Sequence, residues 1–371
     1  MMSMEERVRE VYASLHAIPE IGFTEHRTAA FLAEAARAAG YAVETGVGGT
    51  GVVATLDSGR PGPVVGLRAD MDALPFVIDG EAVCRHACGH DAHSAMVLTA
   101  AEILAKSPPE RGRLKVLFQP AEELLTGALS VIESGAADDL DMLFGIHLRP
   151  IQEARIGQAT PALCHGASHV VDAVIKGVPS HGARPHLGVN AIDAAAAVVA
   201  AVNAIRLDPA QAWSVKTTRL QAGGAAANNI PDRAEMVFDL RAQTNALMEE
   251  LHGKLATAVR HAAAASGAEA EVTVRGGVPA ADYAPELVDL AREAIRAVLG
   301  DDGVLGPIVT PGGEDFHFYA VKRPGLRAAY VGLGCDLAPG LHHPEMAFKI
   351  EALPKGVAIL VDLVGRAFAR A

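Results

Sequence analysis

Cysteine is scarce: Cys84, Cys88, Cys164 and Cys335 are the only four in 371 residues, too few and too scattered to staple the chain with disulfides. Also missing is any apolar run of about 18 residues that could cross a membrane. No signal peptide is recognisable, since the stretch from Met1 to Glu10 is already charged. These absences point to a reducing, cytoplasmic setting, where a cysteine beside histidines is more often a ligand or nucleophile than half of a disulfide. A basic surface is lacking as well. Lys plus Arg is 32 against 44 Asp plus Glu, a net charge of -12, with no Lys/Arg stripe. That balance argues against a nucleic-acid partner. There is no internal repeat or linker tract, and Ala-rich stretches such as Ala194 to Ala201 are helix formers rather than low complexity.

What is present is a core. Half of the residues are hydrophobic and 20% are charged, enough apolar surface for a globular protein, and the length suggests two domains. Helical period runs through Met4, Val8, Val11 and Leu15, and again through Phe31, Leu32, Ala35, Ala36 and Ala39. Short apolar runs bounded by Gly and Pro follow at 51–56, 63–67, 114–118 and 142–146, with a helix from about Ser94 to Leu104. Strands alternating with helices predict an α/β layer architecture.

The character changes after about Pro161. Segments 169–176, 190–205, 214–221, 234–241, 245–265 and 271–275 read β, α, β, β, α, β, the split βαβ order of a ferredoxin-like domain. The remainder, with helices at 285–299 and 353–368 and strands at 308–309 and 326–333, returns to the style of the beginning. The expected architecture is one α/β domain, residues 1–163 and 278–371, split by an insertion at 164–277.

In open α/β sheets ligands collect beyond the carboxyl ends of the strands. There the sequence places Arg68-Ala69-Asp70-Met71-Asp72, Gln119-Pro120-Ala121-Glu122-Glu123, His147 and Leu341-His342-His343-Pro344. A further segment, His86-Ala87-Cys88-Gly89-His90-Asp91-Ala92-His93, precedes the Ser94 helix. If it is extended, Cys88 and His90 point to the same side and can face one ion, with Gly89 letting the backbone approach. Asp72 and Asp91 are placed to orient ligand imidazoles from behind. Taken alone, Cys88 also reads as a nucleophile paired with His, or as structural. The adjacent Glu122 and Glu123 repel one another at a strand end unless a cation takes one, leaving the other to accept a proton; in isolation such a pair is an ordinary solvated first turn of a helix.

Together these strings resemble the M20 metallopeptidases, and more closely their amidohydrolase branch of hippurate hydrolases, N-acyl-amino-acid deacylases and indole-acetyl-amino-acid hydrolases. The matching strings are LHAIPEIGFTE (15–25), LRADMDALP (67–75), HACGHDAH (86–93), FQPAEE (118–123), GIHLRP (145–150), SHGARPHLGVNAI (180–192), NNIPD (228–232), GGEDF (312–316) and LHHPEMAF (341–348), in family order along the chain. The resemblance implies a split catalytic domain and a ferredoxin-like lid that dimerises. It implies two divalent ions on Cys88, His90, Glu123, His147 and His342, with Glu122 as general base and His342 chosen over His343. His181, Asn228 and Arg241 on the lid would hold the substrate's carbonyl oxygen and carboxylate. Arg241 also reads as an ordinary surface arginine. Thiolate and imidazole suit Zn²⁺, Co²⁺ or Ni²⁺, and carboxylates also admit Mn²⁺. The expected reaction is hydrolysis of the amide of an N-acyl amino acid. A dipeptidase or aminopeptidase, or a metal-binding relative without catalysis, are the alternatives. His16, His26, His252 and His261 are expected to be surface positions. Asn229 where the family has Val, Gly313 where Ser is common, and a short stretch from Pro75 to His86 bear on substrate range.

Overall fold

Helix Met4–His16 shows how local sequence meets the fold. Ser3 caps it in a reciprocal capping box with Glu6, and Val8, Val11 and Leu15 bury one stripe. The computed structural model describes residues 2–310 and 312–370 and divides into two compact units. The first takes the chain up to Cys164, then Asp282–Thr310 and residues 314–370. The second is His165–Ala281 with residues 312–313.

The first unit is built on a seven-stranded sheet. Its order is Ala42–Val47, Gly51–Asp57, Arg113–Gln119, Val64–Asp70, Met142–Pro150, Arg327–Leu337 and Ala159–Thr160. Val64–Asp70 runs parallel to both of its neighbours, and Met142–Pro150 runs parallel to Arg327–Leu337. Every residue of Val64–Asp70 is buried, as expected for a central strand covered on both faces. Its Val65, Leu67 and Ala69 join one core with Leu15, Leu32, Met96, Phe144, Val331 and Leu360. Helix His90–Leu104 packs against Met4–His16 and Leu353–Arg370. Its residues 90–101 are all buried, so it has no polar face to give it a clear helical period. The sequence places the start of this helix near Ser94; it begins at His90, because its buried first turn carries His90, Asp91 and His93, which look like loop composition.

The second unit is a four-stranded antiparallel sheet, ordered Trp213–Ala222, Arg233–Ala242, Ala167–Lys176, Glu269–Val278. Helices Ala191–Asn203 and Asn245–Ala265 pack on it and on each other, giving the expected ferredoxin-like order with its own core around Val171, Ile175, Val198, Phe238 and Leu255. Unanticipated are the hairpin Leu74–Ile78 with Glu81–Arg85 and the helices Gly127–Glu133 and His317–Lys322. Among the described residues, no helix is long and apolar enough to cross a membrane.

Candidate metal centre

The parallel strands deliver their chemistry at one end. Val64–Asp70 runs into Asp72, Arg113–Gln119 into Glu122 and Glu123, and Met142–Pro150 carries His147. Cys88 and His90 come together differently from the expected extended alternation. Gly89 caps the helix at φ +93, a left-handed conformation that favours glycine, and His90 is the first helical residue. A Cβ on Gly89 would also lie 3.1 Å from the Leu148 side chain.

The five expected ligands are brought together. Donor atoms of Cys88, His90 and His147 lie within 4.8 Å of one another, as do those of Cys88, Glu123 and His342, and those of His90, Glu122 and Glu123. Cys88 Sγ is 3.6 Å from His147 Nε2, and His342 Nε2 is 3.3 Å from Glu123 Oε2. His90 Nε2 stands 3.8 Å from both Glu122 Oε2 and Glu123 Oε1. Two of these atoms, His90 Nε2 and Glu123 Oε1, are buried with no hydrogen-bond partner. Buried polar atoms are rarely left so, and a cation between them would satisfy both. The donor set of one sulfur, imidazoles and a carboxylate fits a divalent transition metal.

The charges are held apart by their surroundings. Burial, with Glu314 and Asp315 beside it, raises the Glu122 carboxyl well above the usual range. Burial would raise Glu123 too, but its hydrogen bond to His342 and the charge of His90 outweigh that and lower it. Burial pushes the Cys88 thiol up to about 12 and the His147 imidazole well down. A coordinated cation reverses the logic at Cys88, since a ligating thiol is deprotonated outright.

Asp72 supports the centre twice. Its Oδ1 accepts from His90 Nδ1 at 3.0 Å and leaves Nε2 facing the cluster, while Oδ2 accepts the Glu123 backbone N–H at 3.0 Å. Asp72→Ala is expected to weaken metal binding by about 10–100-fold, read by titration calorimetry. An affinity unchanged from the parent would refute that role. His147 Nδ1 donates to the Leu148 carbonyl at 2.6 Å, which fixes its tautomer.

Asp91 is not behind a ligand, in contrast to the expectation. At the second position of the helix its carboxylate turns to the helix N-terminus, accepting the Ala92 N–H at 2.8 Å, and meets His16 Nδ1 at 2.7 Å. His16 is therefore no bland surface position, and nor is His252, whose Nε2 is 2.7 Å from His169 Nδ1. The hydrogen bond to Asp91 raises the His16 pKa despite partial burial. For Asp91, burial is outweighed by the charge of His86 and by His16, and its pKa falls. The stability that His16 contributes is thus complete below the unfolded histidine value of about 6.5 and lost as pH rises through its folded value. The Asp91 part is complete above about 3.9 and lost as pH falls through its folded value. His16→Gln is expected to lower the thermal midpoint at pH 6 and much less at pH 9. Its cost stays below about 1 kcal/mol, because the His16 side chain is 56% exposed and screened. An equal loss at both pH values would contradict the pairing.

The residues under the centre carry no role that follows from the sequence pattern. Arg68, fully buried, pairs with Asp70 at 2.7 Å, Asp315 at 2.9 Å and Glu314 at 3.1 Å. Asp70 also meets His93 Nδ1 at 2.8 Å, and His93 Nε2 accepts the Leu148 N–H at 2.9 Å, bracing the strand beside His147. The available signal was charge inside a strand that reads as wholly buried, where an unpaired arginine would be prohibitive.

His181, Asn228 and Arg241 belong to the second unit. His181 and Asn228 are exposed neighbours, with Ser180–His181 paired to Asn229–Ile230 and the Gly182 N–H donating to the Asn228 carbonyl at 2.6 Å. Arg241 is not brought to them. It lies eight residues along the strand from Arg233, roughly 26 Å at the strand rise, and its guanidinium bonds Asp239 at 3.0 Å.

The sequence pattern of peptidase family M20/M25/M40 matches residues 66–366. Indole-3-acetyl-aspartic acid hydrolase of Enterobacter agglomerans is 32% identical, over 84% of this chain and 76% of the relative. A longer Rhodococcus jostii (strain RHA1) protein that carries a glutamate–cysteine ligase name is 32% identical over 97% of this chain, which spans only 46% of that protein. The crystal structure of a dinuclear metal-binding M20-family peptidase from Bacillus subtilis superposes with a TM-score of 0.83, at 27% identity over 99% of both chains.

Proposed function

Because the chain belongs to peptidase family M20/M25/M40, we propose that it hydrolyses the amide bond of N-acyl amino acids, with Glu122 as general base beside two divalent cations. Cys88, His90, Glu123, His147 and His342 would hold those cations. The observation that carries the reading is the facing pair His90 Nε2 and Glu123 Oε1, buried, unpartnered and 3.8 Å apart among three further donors. The substrate class is drawn from the relative named for indole-3-acetyl-aspartic acid, an amide of an amino acid.

When bound, two divalent cations would set four positive charges against the two negative charges of the Cys88 thiolate and Glu123, and would supply a polarised amide carbonyl and a water whose pKa falls from about 15.7 toward 7. Glu122 would accept a proton from water as the water oxygen attacks the carbonyl carbon, and would return it to the amine nitrogen as the C–N bond breaks. Burial raises the Glu122 carboxyl in the metal-free protein, and two cations beside it would lower it again, so that it stands ionised and able to accept. His342, exposed, stands 3.3 Å from Glu123 and would steady it. His181 and Asn228 are proposed to contact the substrate's carbonyl oxygen and carboxylate, and a homodimer through the inserted unit completes the reading.

The test is metal analysis of protein purified without chelator, then a panel of N-acetyl and N-benzoyl amino acids and free dipeptides with Zn²⁺, Mn²⁺, Co²⁺ or Ni²⁺. Turnover of acyl amino acids is expected. Cleavage of free dipeptides alone would move the reading to a dipeptidase, and fully loaded protein inert across the panel would end it.

A further inference from the structure

Glu25 is fully buried and takes no part in the chemistry above. It closes the string 15–25, the one family-like string that the centre leaves without a use. Its Oε1 accepts the backbone N–H of Ala121 at 2.8 Å, and its Oε2 accepts the Thr50 hydroxyl. Ala121 directly precedes Glu122 and Glu123, and its φ is +51. That left-handed conformation is unfavourable for a residue with a Cβ and persists only where the surroundings impose it. Leu125, at φ +55, bends the same turn again.

The rest of the string lies on the same turn. A Cβ on Gly22 would come within 3.0 Å of Ala121 Cα and Cβ, so only glycine lets the chain pass so close. The Glu20 carbonyl accepts the Ala73 N–H at 2.8 Å, next to Asp72, which in turn holds the Glu123 N–H. From the other side Asp315 Oδ2 accepts the Ala128 N–H at 2.9 Å, and the Gly127 N–H donates to the Ala121 carbonyl at 3.2 Å. Three carboxylates remote in sequence thus grip the backbone of one turn.

We infer that Glu25 is a positioning residue: through the Ala121 N–H, with Gly22 pressed on the same residue, it holds the left-handed turn that sets where Glu122 and Glu123 project. The inference rests on the roles proposed for that pair. Neither Glu25 nor Gly22 reaches the reacting atoms; each acts through the backbone.

The test compares Glu25→Ala, Glu25→Gln and the double variant Glu25→Ala with Ala121→Gly. Glu25→Gln keeps an acceptor for the Ala121 N–H, and glycine at 121 adopts a positive φ without a Cβ penalty. Three readouts are taken on full-length protein: Zn²⁺ affinity, hydrogen exchange of the peptide covering residues 119–128, and kcat and KM on whichever acyl amino acid the parent cleaves best. Glu25→Ala is expected to lower kcat at least about tenfold with KM within about threefold, to speed exchange of that peptide, and to weaken Zn²⁺. Glu25→Gln should stay within about threefold of the parent, and the double variant should regain at least about threefold of the lost kcat. If Glu25→Ala does not fold, Gly22→Ala and Thr50→Val carry the same readouts, with the larger loss expected for Gly22→Ala. Parent-like exchange and Zn²⁺ affinity in the folded variants would overturn the inference. So would a loss that neither Gln nor the glycine rescues, which marks a simple core defect. A parent that cleaves nothing in the panel sinks the proposed function instead, and exchange and Zn²⁺ affinity still decide the role of Glu25.

Discussion

Glu122→Gln is expected to keep its metal and lose turnover by at least about 100-fold, the scale on which general acid–base groups contribute. The amide preserves the shape and the neighbours of the side chain, so Cys88, His90, Glu123, His147 and His342 remain assembled. What disappears is a group able to take a proton from water and return it to the leaving amine. Burial beside Glu314 and Asp315 disfavours the charged form of this carboxyl in the metal-free protein, a form that the neutral amide never takes. Its stability should therefore equal or exceed that of the parent. Metal content and kcat measured on one preparation check both halves. Near-normal turnover would remove Glu122 from the role, and lost metal would make it a ligand.

Cys88→Ala is expected to fail earlier, at the metal itself, with affinity falling by about 100-fold or more and activity following the occupancy. The thiol belongs to two of the overlapping donor groups, so removing it strips both positions. In the metal-free protein burial pushes this thiol up to about 12. His90 is held protonated chiefly by Asp70, against the opposing effect of burial. A cation must displace protons from both, so affinity in the parent should climb with pH, by up to roughly tenfold per unit for each proton released. Cys88→Ala should flatten that slope. Titration calorimetry at several pH values reads it, and a fully loaded Cys88→Ala protein that has lost only chemistry would restore the thiol-nucleophile reading.

Legibility differed from place to place for physical reasons. The inserted ferredoxin-like unit was readable because its strands alternate and its helices are capped and amphipathic; Asn245–Ala265 was predicted to the residue. Helix His90–Leu104 begins four residues before the start its composition marks, because its buried first turn carries polar residues. The hairpin at 74–85 lies outside the expected strands although Asp79-Gly80, at φ +52 and +84, is the turn chemistry such hairpins need. By its position in the string Asp91 belongs behind a ligand, and only the direction of its side chain, toward His16 and the helix end, corrects that.

The sequence by itself determined the two-unit α/β architecture, the candidate metal-ligand residue types and the family. Those follow from local periodicity and from strings whose residue chemistry is legible without coordinates. Only the tertiary structure decided which remote groups support them: Asp72 under His90 and Glu123, Asp70 between Arg68 and His93, and Glu25 on the backbone of Ala121. Hydrogen bonds such as that of Glu25 to Ala121, between segments 96 residues apart, leave no period or spacing in the chain. They exist because burial in the folded core makes an unpaired carboxylate or N–H too costly to leave alone.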